Sequence, residues 1–233
     1  LRKVGSLPAF LFFFCLKMKR TSRPDPKATE ATRKRYQRIA PLYDLMETLP
    51  EQRYQSWRQR LWSLVEGHEV LEVGVGTGKN MPFYPGDLHI TAIDLTPGML
   101  EKARARAREL GLDVNLRLGD VQELEFPDEA FDTVVSTCVF CSVPDPILGL
   151  HEVLRVLKPG GRLLMIEHVR SGNPLLGNVM DLLNPMVVRA MGPNINRHTV
   201  ENVDRAGLVV DRAEDLGLGD IFKLIVARRD DHG

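Results

Sequence analysis

Val70-Leu-Glu-Val73 runs directly into Gly74-Val-Gly76-Thr-Gly78-Lys-Asn80, a short apolar strand delivered into a loop with three glycines. Spacing separates the nucleotide classes that use such a loop. Counted from Gly74 and Gly76, the dinucleotide fingerprint Gly-x-Gly-x-x-Gly needs its third glycine at position 79, where Lys79 stands. Counted back from Gly78-Lys79, a phosphate loop of the Gly-x-x-x-x-Gly-Lys-Ser/Thr type needs glycine in place of Val73 and a hydroxyl in place of Asn80. Neither phosphate cradle is present.

Outward from that loop the chain alternates. Further apolar runs follow at His89-Ile-Thr-Ala-Ile-Asp94, Val114-Asn-Leu-Arg-Leu118, Phe131-Asp-Thr-Val-Val-Ser-Thr137 and Gly161-Arg-Leu-Leu-Met-Ile-Glu167. Between them, residues 96–110 and 145–157 read as helices. The first opens on Thr96-Pro97, and the second stops at Lys158-Pro-Gly-Gly161. Strand, helix, strand in series predicts a parallel sheet covered on both faces. Residues 208–213 and 220–228 form two more runs with no room for a crossover helix, which predicts an antiparallel pair at one edge.

The chain has 233 residues, 43% hydrophobic and 27% charged, which fits one globular domain and excludes a disordered, collagenous or multi-span membrane protein. Lys plus Arg and Asp plus Glu are 31 each, so no whole-protein field draws it to nucleic acid. The charges are unevenly spread. Residues 1–38 carry eleven basic and two acidic side chains, and residues 39–233 carry twenty and twenty-nine. Cys15, Cys138 and Cys141 cannot build a disulfide framework, which suits a reducing cytoplasm, and no second pair at zinc spacing accompanies Cys138-x-x-Cys141. No metal site is expected. The ten-residue apolar run from Leu7 to Leu16 is too short to span a bilayer, which needs about 20 residues. Lys17, Lys19 and Arg20 stand where a signal cleavage site would be, and Met18 is the expected working start. Residues 1–35 are expected to form a flexible basic segment with peripheral attraction to anionic lipid, a helix starting near Thr29, and residues 36–233 the single domain.

The stretch Glu72-Val-Gly74-Val-Gly76-Thr-Gly78 resembles motif I of the class I S-adenosyl-L-methionine-dependent methyltransferases. In such a loop the glycines let the backbone approach an uncharged nucleoside and an amino-acid tail. Asp94 at the end of the second strand and Gly119-Asp120-Val121 at the end of the third strengthen the resemblance. It implies an α/β fold: a doubly wound, Rossmann-like, seven-stranded, mostly parallel sheet with an antiparallel last strand and an N-terminal helical cap. It also implies cofactor contacts by Glu72, Gly74, Gly76, Gly78, Asp94, Leu95, Asp120 and Val121. Asp94 would accept the ribose hydroxyls and Asp120 the adenine amino group, with Val121 against the ring.

Within that class, Ile39-Ala-Pro-Leu-Tyr43-Asp44-Leu-Met46 with Trp57-Arg58, and Arg155-Val-Leu-Lys-Pro-Gly-Gly161 onward, look like the ubiquinone/menaquinone biosynthesis methyltransferases. The likeness ends at Glu167-His168-Val169. Cys138-Val-Phe-Cys-Ser-Val143 with Met165-Ile-Glu-His-Val169 resembles the thiol S-methyltransferases, and Val143-Pro-Asp-Pro146 the bacterial phosphatidylethanolamine N-methyltransferases. These resemblances imply a small-molecule or lipid acceptor, either a phospholipid amine or quinol or, alternatively, an alkyl thiol. Residues 175–191, rich in Leu, Val and Met, suit an apolar acceptor or a helix packed on the sheet. Tyr43, Asp44, His168 and His198 are the candidates to orient or deprotonate the acceptor, His168 first because it follows a strand end. A cofactor-binding, non-catalytic partner protein is a further alternative. An RNA or protein methyltransferase fits less well, because Ser136-Thr-Cys-Val139 stands where an Asn/Asp-Pro-Pro-Tyr/Phe motif would be.

Overall fold

The computed structural model describes residues 23–230 other than 47, 191 and 218. The apolar run from Leu7 to Leu16, Cys15 and the Met18 start lie outside the described residues.

Seven strands form one sheet: β1 (Glu69–Val73), β2 (His89–Asp94), β3 (Asn115–Leu118), β4 (Phe131–Thr137), β5 (Leu157–His168), β6 (Val209–Asp215) and β7 (Phe222–Arg228). Their order is β3-β2-β1-β4-β5-β7-β6, with β3 through β5 parallel and β7 antiparallel to both β5 and β6. The predicted antiparallel pair is therefore present, with the last strand slotted inside it. Composition explains the order: Phe222-Lys-Leu-Ile-Val-Ala-Arg228 is nearly all apolar and takes the interior place, whereas Asp211, Arg212 and Glu214 leave β6 at the solvent edge. β5 starts at Leu157, four residues ahead of expectation, and carries the Lys158-Pro-Gly-Gly161 stop within its irregular first half.

Helices α1 (Pro26–Ile39), α2 (Tyr43–Met46), α3 (Thr48–Trp62), α4 (Pro97–Leu110), α5 (Pro146–Val156), α6 (Pro174–Ala190) and α7 (Thr199–Arg205) surround the sheet. α1 corrects the expected boundary. It begins at Pro26 rather than near Thr29, because the Asp25 carboxylate caps the Lys27 amide and proline suits a first helical turn. Residues 26–35 are thus part of the helical cap.

Strand alternation divides the core. Leu163 and Met165 of β5 join Leu150 and Val153 of α5, while Leu164 and Ile166 join Trp57 and Leu61 of α3 on the other face. A third cluster packs Leu100 and Ala103 of α4 on Ala92. Strand order reverses between the parallel neighbours β1 and β4, and the crevice beyond their carboxyl ends is where such sheets hold ligands.

Candidate active site

A cavity of about 740 Å³, counting the open space at its mouth, lies over the carboxyl ends of β1, β2 and β4 and the turn after β3. Of the residues expected at the cofactor, Gly74, Gly76, Asp94, Leu95, Asp120 and Val121 line it.

The loop after β1 turns on left-handed glycines, with φ of +68° at Gly74 and +58° at Gly76. A Cβ at Gly74 would meet Val139 Cγ2 at 2.3 Å, so this glycine lets the loop after β4 close in. A Cβ at Gly76 would meet nothing within 4 Å, leaving open room at the cavity wall. The Gly76 amide donates to Asp94 Oδ2 at 2.9 Å and the Thr96 amide to Oδ1 at 2.8 Å. Burial raises the Asp94 pKa despite these two amides. Each oxygen keeps a lone-pair direction for a further donor.

Glu72 and Gly78, also expected at the cofactor, are not among the residues that line the cavity. Glu72 points behind the loop, where its carboxylate accepts from Asn80 Nδ2 at 2.7 Å and from the Tyr84 hydroxyl. Arg58 Nη1 donates to Asn80 Oδ1 at 2.7 Å and thereby joins the buried network. Burial pushes the Glu72 carboxyl up to about 7, with Tyr84, Asn80 and Arg58 opposing it. Gly78, at φ +81°, sits over Met81 where the loop enters its next turn.

Asp120 is already engaged. Its carboxylate accepts from Gln122 Nε2 at 3.1 and 3.0 Å and from the Thr29 hydroxyl of α1 at 3.2 Å. Further along α1, the Tyr36 and Ser142 hydroxyls pair at 2.5 Å, and the Gly98 amide donates to Gln37 Oε1 at 3.0 Å. Three polar contacts therefore hold α1 across the cavity, and burial raises the Tyr36 pKa well above a free phenol.

The candidate acceptor residues separate. Tyr43 lines the cavity. Asp44 does not; it accepts from the Thr77 hydroxyl at 2.7 Å and pairs with Lys102 at 3.1 Å, fastening α2 to the glycine loop and to α4. Burial would raise its carboxyl, but Thr77 and Lys102 outweigh that and hold it low, which suits a tie rather than a base. His168 does not line the cavity either. Alternation along β5 turns it to the α3 face, where its ring meets Phe222 edge-on with centroids 5.0 Å apart and Nδ1 is buried with no hydrogen-bond partner. Burial lowers its pKa. His198 is exposed beside Glu201, away from the cavity.

Glu167, the neighbour of His168 in β5, faces the site side instead. The buried carboxylate accepts from the amides of Val139 at 2.9 Å and Phe140 at 3.0 Å and from the Ser136 hydroxyl at 3.1 Å. It so holds the loop that carries Val139 and Ser142 into the cavity wall, and burial pushes it up to about 7 against those donors. Glu167, Tyr36, Ser142 and Asn80 belong to the site without standing in the motifs that mark it in sequence. Only Asn80 carried a signal, as the polar residue closing the glycine loop.

This wall suits a nucleoside joined to an amino acid: a rigid carboxylate with lone pairs to spare, an open glycine and the apolar Leu95, Met99 and Val121. A family profile described as a methyltransferase domain matches residues 71–165. The phosphatidylethanolamine N-methyltransferase of Cereibacter sphaeroides is 43% identical over 112 residues, covering 47% of this chain and 55% of the relative. The chain thus spans little more than half of that relative's length. Thiol S-methyltransferase TMT1B of Rattus norvegicus is 38% identical, covering 54% of this chain and 57% of the relative. A demethylmenaquinone methyltransferase of Deinococcus radiodurans is 31% identical over 170 residues, covering 70% of each. With the glycine loop, the fastened Asp94 and these likenesses in agreement, the chain belongs to the class I S-adenosylmethionine-dependent methyltransferases.

Proposed function

We propose that this chain transfers a methyl group from S-adenosylmethionine to a small apolar or lipid-like acceptor of the phospholipid-amine or quinol type, at the cytoplasmic side of a membrane. The observation that carries the transfer is the Asp94 carboxylate, buried and fixed by two amides at the mouth of the strand crevice. When bound, the cofactor supplies an electrophilic methyl group on a sulfonium. Asp94 would hold the ribose hydroxyls, the Gly74–Gly76 backbone the amino-acid tail, and Val121 with Asp120 the base. In-line displacement asks the protein chiefly to align the acceptor and exclude water. Tyr43 on the wall orients the acceptor, and the Tyr36–Ser142 pair closes α1 over it. Val139, Val143 and Pro144 on the same wall favour an apolar acceptor. The basic excess of residues 1–38 adds attraction to an anionic surface.

An alkyl thiol acceptor is the second reading. The stretch from Cys138 to Val143, which resembles the thiol enzymes, supplies four of the cavity-lining residues. Incubating pure protein with methyl-labelled cofactor and a panel of phosphatidylethanolamine, quinols, alkyl thiols and simple amines tests both. Label in the lipid or quinol fraction supports the first reading, and label on thiols alone supports the second. Cofactor binding with no transfer to any acceptor would overturn both and leave the non-catalytic alternative.

A further inference from the structure

Helix α6 leaves a broad apolar face uncovered. It meets the protein through buried Gly177 and Met180 and through polar ties at that edge: Asp181, itself partly exposed, is held by Arg170 at 2.8 Å and by Asn196 at 2.9 Å, and Asn184 Oδ1 accepts from the Ile195 amide at 2.8 Å. On its other side Leu175 is 78%, Leu182 77% and Met186 70% exposed. Val179, at 43%, completes a stripe spaced 175, 179, 182, 186, and Leu176 and Leu183 widen it. A helix packed on a globular core by one face ordinarily turns polar side chains to the solvent on the other. A contiguous exposed apolar face of this kind marks an interaction surface.

Charge decides what covers it. The end of α6 abuts α1, since a Cβ built at Gly192 would meet Arg35 Cδ at 2.9 Å and the Tyr36 hydroxyl at 3.4 Å. α1 carries Lys27, Arg33, Lys34, Arg35 and Arg38 against the single acid Glu30. A second copy pairing through its own α6 would bring an apolar face and, in that helix, a single acid, Asp181, already held by Arg170. An anionic bilayer brings both an apolar interior and counter-charge for α1. No helix among the described residues is long and apolar enough to cross a membrane, so the contact lies in the plane of the interface.

We infer that α6 is a membrane-docking helix, its Leu175–Met186 stripe buried in the interface of an anionic bilayer with basic α1 against the headgroups. This deepens the lipid-acceptor reading and rests on it only for the acceptor, because docking itself requires no turnover. The stripe is on the solvent face, so Leu175→Ser, Leu182→Ser and Met186→Ser together leave the core untouched. Flotation of the full chain with vesicles of phosphatidylcholine and phosphatidylglycerol should carry the wild type upward, and the triple variant should lose about tenfold or more in partitioning. Vesicles of phosphatidylcholine alone should bind the wild type more weakly. As a second readout, the emission of the Leu182→Trp variant should shift to the blue with the anionic vesicles. Turnover of a dissolved thiol or amine by the triple variant reports separately on the catalytic reading. Wild-type protein left in solution, a triple variant that floats like the wild type, an unshifted emission from the Leu182→Trp variant, or a stripe that instead mediates self-association on gel filtration would overturn the inference.

Discussion

Gly76 donates its backbone N–H to Asp94 Oδ2 across 2.9 Å, fastening the glycine loop after β1 to the last residue of β2. The parallel pairing of Val73 with Ile93 brings the two strand ends level, and the Thr96 amide grips the other oxygen. The carboxylate therefore stands in one orientation before any ligand arrives, which is what a site must do to bind without an ordering penalty.

The glycines of that loop should differ under substitution. Gly74→Ala and Gly76→Ala each impose a left-handed alanine, about 1–2 kcal/mol. Gly74→Ala must in addition displace Val139, so it should be clearly the less stable in denaturant titration. Gly76→Ala should fold almost normally and lose cofactor affinity instead. Equal stability losses, or an unaffected affinity in Gly76→Ala, would contradict the geometry.

Glu167 should leave a signature in the pH dependence of stability. Its carboxyl is raised from 4.5 to about 7 by burial in the folded chain, so between those values the folded state keeps a proton that the unfolded state has released. This contribution to stability is therefore full at low pH, falls as pH rises through that window and is level above it. Glu167→Gln removes it. The stability difference, wild type minus variant, should fall by about 3 kcal/mol across the window, and a pH-independent difference would refute the assignment.

His168 and Tyr43 should exchange the importance that sequence position suggested. His168→Phe should keep kcat within about twofold and be as stable or more so, because it removes a buried nitrogen that has no partner. Tyr43→Phe should lower kcat/KM by about 10²-fold through misalignment of the acceptor. A hundredfold loss of kcat in His168→Phe, with the neutral-pH limb of its profile gone, would return the base role to the histidine.

The sheet was legible because parallel strands covered on both faces read as short apolar runs. His89–Asp94 and Phe131–Thr137 are found where their apolar runs predict them. Three things were not legible, each for a physical reason. Which of Glu167 and His168 faces the site depends on which face of β5 carries α5, a tertiary fact. Glu72 sits beside the loop in sequence yet points behind it, held by Asn80 and Tyr84. The start of α1 was masked by two prolines that read as breakers, although Pro26 follows a capping Asp25 and opens the helix.

Titration calorimetry of S-adenosylmethionine into the wild type and into Asp94→Ala tests the account most directly. Saturable binding to the wild type, weakened by about 1.5–3 kcal/mol in a variant that stays folded, is the predicted result, that being the range for hydrogen bonds to a charged group. Unchanged affinity in Asp94→Ala, or no binding to the wild type, would contradict it.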